Sequence, residues 1–358
     1  MAATDPMPVA ATDPIPVVAG DAHRGHDPAY EVNLGRVRRP VYERVERGEL
    51  LRGALAAAGH PLVEPVEHGL EPILAVHEPA LLEFLEGAWP AWRAAGGPEL
   101  LIPDTFALPG LARTAAAPPA GGLGRPGWFC FDTATPLVEG SYAAARAAVD
   151  VALTGAELVA GGARAAYALC RPPGHHAGRG CYGGFCLLNN AAVAAAALRR
   201  LGRVAIVDVD FHHGNGTQEV FWEDAAVLYV SLHGDPAVHY PYVTGSRQET
   251  GGGAGRGATV NLPLADGTGE DAYLAALAGA CEAVAGFGAS TLVVSLGFDT
   301  FAGDPLGAFA LTTGSYRRVG ASLAALGLPT LLVQEGGYAL DALGANAVAC
   351  LAGFASRA

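Results

Sequence analysis

The sequence predicts an α/β fold in which helices cover both faces of a central parallel sheet. From residue 142 onward, short runs rich in β-branched residues alternate with Ala-rich stretches, the order expected of βα units. The short runs are apolar at every position, as strands are when both faces of their sheet are buried. Of the 358 residues, 51% are hydrophobic and 16% are charged, which is enough apolar side chain for a large core.

The predicted elements follow the chain in order. Residues 2–9 and 10–17 form a tandem octapeptide containing Pro, and we expect residues 1–20 to be a disordered tail before a single domain at 21–358. Residues 98–136 are rich in Gly, Pro and Thr, which indicates a long binding loop. Helices are predicted at 41–58, 79–94, 142–153, 189–200, 271–285 and 315–326, and strands at Val204–Val209, Val227–Leu232, Thr291–Leu296 and Thr330–Val333.

The charge balance limits the classes of partner. The formal net charge is −13, and the chain contains no Lys. An acidic surface argues against nucleic acid as a partner, because phosphate binding needs a basic face. The negative charge either only keeps the protein soluble or also attracts a cationic substrate. The sequence shows no run of 18 apolar residues and no basic region followed by an apolar one at its start. We therefore expect no membrane partner, no signal peptide and a cytoplasmic protein.

The six Cys residues form no C-x-x-C pair, which favours reduced packing thiols.

Carboxylates and imidazoles follow the predicted strands. Because side chains repeat every two residues in extended chain, Asp208, Asp210 and His212 point the same way. Asp299 follows another strand, and the carboxyl ends of parallel strands meet at one edge of a sheet. Burying these acids would be costly without a cation. Two carboxylates and one His predict a catalytic zinc site with an open position, although iron(II), cobalt or manganese would also fit.

Two Gly-containing segments supply candidates for proton transfer. Adjacent His175 and His176 lie in a loop rich in Pro and Gly, where they are poorly placed for core packing and suited to acid and base chemistry. Tyr338 ends the segment E-G-G-Y, and its hydroxyl could donate to a developing oxyanion. Taken alone, the His pair could be metal ligands, a catalytic base or a chance occurrence. Taken alone, Tyr338 could be an ordinary packing residue.

Six motifs occur in an order that resembles the histone deacetylase family, and their details resemble its acetylpolyamine amidohydrolase branch. They are R-P-P-G-H-H-A at 171–177, G-G-F-C-L-L-N-N at 183–190, D-V-D-F-H-H-G-N-G-T-Q at 208–218, S-L-H-G-D-P at 231–236, G-F-D-T-F-A-G-D-P at 297–305 and E-G-G-Y at 335–338. The resemblance implies an arginase/deacetylase-like fold with about eight parallel strands. It also implies zinc-dependent hydrolysis of an N-acyl amine, a linear amide.

The resemblance also implies roles at the matching positions. The zinc ligands are Asp210, His212 and Asp299. His175 and His176 lie beside the zinc-bound water, backed by Asp208 and Asn215, with His176 as general base and then general acid, and Tyr338 polarises the carbonyl. The other implied sites are a structural potassium ion at Asp208, Asp210, His212, Ser231 and Leu232, a second monovalent cation at Phe221 and Val227, and a substrate tunnel at Gly184, Phe185, Tyr240 and Leu306.

The resemblance is weaker for the substrate. It places acids that hold the distal ammonium of a polyamine at positions occupied by Leu123 and Ala134, while Arg125 would repel a polyamine. We expect a small acylated amine, such as an acetylpolyamine, ahead of acetyl-lysine in proteins. We also expect loop 98–136 to form a homodimer. A manganese ureohydrolase would need more Asp and His ligands, and a non-catalytic metal-binding relative would be expected to lack some of these residues.

Overall fold

The computed structural model of the chain describes residues 13–108, 110–112 and 117–356. The strands are β1 Val17–Val18, β2 Glu31–Asn33, β3 Arg36–Arg38, β4 Leu62–Val63, β5 Ala165–Ala168, β6 Val204–Asp208, β7 Val227–Gly234, β8 Thr259–Leu264, β9 Thr291–Leu296 and β10 Thr330–Gln334. The helices are α1 Val45–Ala57, α2 Glu71–Leu74, α3 Pro79–Ala94, α4 Pro126–Phe129, α5 Ser141–Ala160, α6 Asn190–Leu198, α7 Asn215–Phe221, α8 Glu270–Phe287, α9 Thr313–Ala324 and α10 Leu340–Ala355.

Eight strands form one parallel sheet in the order β4-β1-β5-β10-β9-β6-β7-β8, and β2 and β3 form a separate antiparallel hairpin. Successive strand residues point to opposite faces. Ile206 therefore joins a core with α3, α5 and α6, while Val207 joins a core with α1, α8, α9 and α10. The predicted α/β fold, with a parallel sheet covered on both faces, is confirmed.

The strand order places a crevice between β6 and β9. From β6 the chain continues outward through β7 and β8, and from β9 it continues in the other direction through β10. Ligands in open α/β sheets bind beyond the carboxyl ends of the strands at such a reversal. Asp208 pairs with Ser295 in the β6–β9 register. The segments that follow these two strands therefore start side by side.

The prediction that residues 1–20 are disordered is wrong for the part from residue 13 to residue 20. Val17 and Val18 form β1 between β4 and β5, and Ile15 and Ala19 are also buried. The amide of Val17 donates to the carbonyl of Pro61 at 2.8 Å. The short apolar run gains its stability from two neighbouring strands that sequence alone does not reveal. Residues 1–12, the rest of the predicted tail, lie outside the described residues.

The structure also differs from the prediction in the length of one helix and in short elements that the sequence pattern did not indicate. Helix α5 continues seven residues beyond the predicted end at 153, to Ala160, because Gly155 packs against β10 instead of ending the helix; a Cβ there would lie 2.6 Å from Leu331 Cδ1. Strand β5 is Ala-Ala-Tyr-Ala, which carries no β-branched signal. Within the described part of loop 98–136, Pro126–Phe129 form α4. No described helix is long and apolar enough to cross a membrane.

We predict that Gly353→Ala destabilises the fold where α9 and α10 pack. A Cβ on Gly353 would lie 1.9 Å from the carbonyl oxygen of Arg317, so the helices would have to separate. We expect the free energy of unfolding to fall by about 1–3 kcal/mol in chemical denaturation.

Gly279→Ala is the matched control, because Gly279 lies inside α8 and a Cβ added there would meet nothing within 4 Å. This substitution should raise the free energy of unfolding by about 0.5–1 kcal/mol. Equal effects of the two substitutions would contradict the packing argument.

Candidate active site

Asp210, His212 and Asp299 converge at the carboxyl edge of the sheet. Their potential ligand atoms all lie within 4.8 Å of one another. His212 Nδ1 is 3.3 Å from Asp210 Oδ1 and 3.0 Å from Asp299 Oδ2. Both carboxyl groups are fully buried. The three residues assigned to zinc are thus brought together, although they come from segments after β6 and β9.

The electrostatics of this cluster fit a cation. In the described part of the chain, no Arg lies within 4.0 Å of the Asp210 or Asp299 carboxylate, whose only ion-pair partners are His residues. Burial opposes charge on His212, but its contacts with both acids raise its pKa to about 10. Burial and the Asp210 carboxylate raise the pKa of Asp299 to about 7. Negative charge is therefore crowded in a dry space, and a divalent metal ion would neutralise it.

Main-chain amides orient the two carboxylates. Asp210 Oδ2 accepts from the amide of Gly336 at 2.8 Å, and Asp299 Oδ1 accepts from that of Phe211 at 2.7 Å. A Cβ on Gly336 would lie 2.6 Å from Oδ2 of either acid. Gly at 336 is therefore required for the chain after β10 to approach the acids so closely.

The tandem His pair lies beside this cluster, and the two imidazoles have opposite environments. His175 Nδ1 is 3.0 Å from Asp208 Oδ2, and His176 Nδ1 is 2.7 Å from Asn215 Oδ1. Despite burial, Asp208 and Asp210 raise the pKa of His175 to about 10. Burial, and then the charges of His175 and His212, hold the pKa of His176 well below its usual value. One imidazole is thus cationic and the other neutral near pH 7.

Tyr338 is held at the site by a buried carboxylate and a buried guanidinium. Its main-chain amide donates to Asp304 Oδ2 at 2.7 Å. The guanidinium of Arg47 lies 4.8 Å from the centre of its ring and donates to the carbonyls of Gly337 and Glu335, both at 2.7 Å. Burial raises the pKa of Tyr338 well above its usual value, so the phenol keeps its proton.

Glu335 connects the tandem His loop to β10. Its Oε2 accepts from the amides of Gly174 at 2.7 Å and His175 at 3.1 Å. Burial raises the pKa of Glu335 to about 7. In the sequence, Glu335 and Asp304 stood out only as members of motifs, and Arg47 did not stand out at all. Their contacts are made across the fold, so no local pattern distinguishes them from ordinary surface charges.

The residues predicted to form the substrate tunnel surround the same centre. The ring of Tyr240 lies edge-on to that of His176 at 5.0 Å, and the ring of Phe185 lies 5.7 Å from that of Tyr338. A Cβ on Gly184 would lie 2.3 Å from His176 Cδ2, so only Gly allows this approach. The amide of Leu306 donates to Asp304 at 3.0 Å, the acid that also holds Tyr338.

The residues predicted to bind monovalent cations are buried, except His212, which is 13% exposed. Ser231 lies opposite Asp208 in the β6–β7 register, and Leu232 follows it. Phe221 ends α7, and Val227 begins β7. Burial at these positions does not test cation binding, so the two cation sites stay predictions.

Comparisons with known proteins agree with this geometry. The histone deacetylase domain family matches residues 33–354. The chain is 45% identical to acetylpolyamine amidohydrolase 1 of Pseudomonas aeruginosa over 341 residues, which cover 94% of this chain and 98% of that protein. It is 44% identical to the acetylpolyamine amidohydrolase of Mycoplana ramosa, over 88% of this chain and 93% of that one.

A solved structure agrees as well. The acetylpolyamine aminohydrolase of Burkholderia pseudomallei aligns with a TM-score of 0.90 at 41% identity, covering 95% of this chain and 98% of that one. The resemblance carried by the six motifs is confirmed. The chain therefore belongs to the histone deacetylase family, in its acetylpolyamine amidohydrolase branch, and is a hydrolase of linear amides.

Proposed function

We propose that this enzyme hydrolyses the amide of a small N-acyl amine, with one zinc ion held by Asp210, His212 and Asp299. The observation that carries the proposal is the buried cluster of two carboxylates and one imidazole, which has no Arg partner among the described residues and faces the tandem His pair. When bound, zinc would supply Lewis acidity to the attacking water and to the amide carbonyl.

His176 is the proposed general base. Asn215 Oδ1 can only accept, so the proton of neutral His176 lies on Nδ1 and the lone pair on Nε2. Nε2 takes a proton from water as the water oxygen attacks the acyl carbon. The same nitrogen then returns the proton to the amine as the C–N bond breaks, which leaves a carboxylic acid and an amine; the acid then gives its proton to the amine in solution.

His175 and Tyr338 stabilise charge in this scheme. His175 is held as an imidazolium by Asp208, and burial together with this positive charge lowers the pKa of His176 and keeps it neutral. The hydroxyl of Tyr338 donates to the developing oxyanion, an interaction that typically contributes about 2.7–4 kcal/mol. Asp304 and Arg47 fix the main chain and ring that carry this hydroxyl.

The proposed substrate is a small acylated amine such as an acetylpolyamine, the substrate in the names of the relatives. Leu123, 47% exposed, and Ala134 provide no charge for a distal ammonium. Arg125 is paired with Glu83 at 3.2 Å, so it repels a polyamine less than its charge alone suggests. Protein acetyl-lysine is the alternative substrate.

A homodimer through loop 98–136 is also proposed. Leu108, Leu111 and Leu123 in this loop are 64%, 70% and 47% exposed, and a second copy packed on the loop would remove them from water. Sedimentation of the purified enzyme tests the state of association. A cytoplasmic location stays a prediction from the sequence.

Deacylation rates for acetylputrescine, acetylspermidine and an acetyl-lysine peptide test the function. Turnover that is lost in His176→Ala would support hydrolysis at this site. Peptide turnover well above amine turnover would assign the enzyme to protein substrates. Bound zinc without turnover of these compounds would mean that the substrate is a different acyl amine, and two manganese ions per chain would overturn the assignment of one zinc ion.

We predict that Asp299→Asn loses most of its zinc, because one of two anionic ligands is removed. Metal analysis should show a deficit, and a chelator should lower the Tm of the wild type but barely change that of the variant. Asp304→Asn is the control, since Asp304 is a nearby buried acid that accepts main-chain amides, and it should keep its zinc. Full zinc in Asp299→Asn would overturn the ligand assignment.

Tyr338→Phe should lower kcat by about 10²–10³-fold, since it removes one oxyanion donor, with zinc content unchanged. Tyr42→Phe is the control, because its ring lies 6.2 Å from that of Tyr338 while its hydroxyl has no role in the scheme. A similar loss in both variants would point to a general disturbance of the loop.

Asn215→Asp should move the acidic limb of the profile of kcat/KM against pH to higher pH. A carboxylate at Nδ1 stabilises the imidazolium and raises the depressed pKa of His176. Since only neutral His176 accepts a proton, activity then requires a higher pH. An acidic limb that stays in place or moves to lower pH would remove His176 from the role of base.

A further inference from the structure

Gln334, the last residue of β10, lies in the core directly before the loop of residues 335–338 and is 1% exposed. Its amide nitrogen Nε2 donates to the carbonyl of Glu335 at 2.8 Å and to that of Gly336 at 2.9 Å. Its Oε1 accepts from the hydroxyl of Tyr167, which is fully buried in β5. Both amide protons and the amide oxygen are therefore used, as a buried polar side chain requires.

The peptide unit between Glu335 and Gly336 links this side chain to a ligand of the proposed zinc site. Its carbonyl accepts from Gln334 Nε2 at 2.8 Å and from Arg47 Nη2 at 2.7 Å, and its N–H donates to Asp210 Oδ2 at 2.8 Å. The C=O and N–H of a trans peptide point in opposite directions. Donors on the carbonyl side therefore turn the N–H toward Asp210.

The main chain has little stiffness of its own at this point. Gly336 and Gly337 have no side chains, and Gly337 has a φ of 115°, which few other residues adopt. A reversed peptide would point its carbonyl oxygen, instead of its N–H, at the buried carboxylate of Asp210. The carbonyl of Gly336 also accepts from the amide of Phe298 at 3.1 Å, so Gln334 shares the support of this loop with other donors.

We propose that Gln334 is a positioning residue for the metal site, because it holds the peptide whose N–H orients Asp210. The proposal rests on the zinc site proposed above. Among the described residues, Gln334 hydrogen-bonds to no ligand of that site; it acts through the amide of Gly336. Since Arg47 still holds the carbonyl of Glu335, loss of Gln334 should weaken zinc binding without abolishing it. Groups that support a metal ligand typically contribute about 10- to 100-fold in affinity, and we expect about tenfold.

Tyr167 allows the positioning role to be separated from the stability of the core. Tyr167→Phe removes the hydroxyl that donates to Gln334, so it leaves a buried oxygen unpaired and should destabilise the fold. The amide of Gln334 should keep its orientation, because turning it over would set its oxygen against two carbonyl oxygens. Tyr167→Phe should therefore lose stability and keep the zinc affinity of the wild type.

The test combines two measurements on each variant. One is the dissociation constant of zinc, from competition with a chromophoric chelator, and the other is the midpoint of chemical denaturation of the metal-free chain. Gln334→Met keeps a side chain of similar volume but donates no hydrogen bond. Zinc should bind to this variant about tenfold more weakly than to the wild type, and the groups left unpaired should lower the midpoint.

The double variant, Gln334→Met with Tyr167→Phe, distinguishes positioning from general damage. Both partners of one buried hydrogen bond are then replaced by apolar groups of similar shape, a change that costs less than the removal of one partner. The midpoint should therefore rise above that of Gln334→Met. Zinc should still bind about tenfold more weakly than to the wild type, because the donor to the two carbonyls is still missing.

Recovery of zinc affinity together with stability in the double variant would indicate a merely structural role and overturn the proposal. Wild-type affinity in Gln334→Met, or an equal loss of affinity in Tyr167→Phe, would overturn it as well. If Gln334→Met does not fold, the zinc affinity of the double variant decides. If the wild type binds zinc and cleaves acyl amines, these outcomes concern Gln334 alone; if the wild type binds no zinc, the proposed function fails first.

Discussion

The site depends on the cost of burying Asp208, Asp210 and Asp299 together at one edge of a parallel sheet. Charged groups in a dry interior must be paired or bound to a metal. In the described part of the chain the neighbours of these acids are imidazoles, main-chain amides and the hydroxyl of Tyr229, and none is an Arg. The cation proposed above would make this arrangement stable, so that removing it should also destabilise the site.

A second buried charge cluster ties the catalytic loops to the N-terminal part of the domain. Glu43 Oε1 lies 2.8 Å from Arg47 Nη1 and 2.9 Å from Arg171 Nε. Arg47 holds the Gly-Gly-Tyr loop through its carbonyls, and Arg171 begins the tandem His loop. Breaking one partner of such a cluster leaves an uncompensated charge. The loop that carries Tyr338 and the loop that carries His175 and His176 are thus held by the same carboxylate.

The sheet brings the residues of the site together because all the strands that lead into the site run parallel. The segments after β6, β9 and β10 start at the same edge of the sheet. The order in which the strands are added reverses between β6 and β9, and this reversal leaves space for a ligand there. Asp132 and Thr135 contact the same region from another part of the chain, where they accept from the amides of Gly184 at 2.7 Å and Phe185 at 2.9 Å.

The sequence by itself determined the class of fold and pointed to the three residues of the proposed metal site, which the structure brings within 4.8 Å of one another. Apolar strands and the spacing of Asp208, Asp210 and His212 are local features, because two-residue periodicity orients side chains within one segment. Only the tertiary structure decided that Val17 and Val18 enter the sheet, that Ala165–Ala168 form a strand and that Arg47, Glu43 and Asp304 support Tyr338. These features depend on partners distant in sequence, from 34 residues for Asp304 and Tyr338 to 290 for Arg47 and Gly337. A short segment or a single charge has no preference strong enough to specify such a partner until the core has formed.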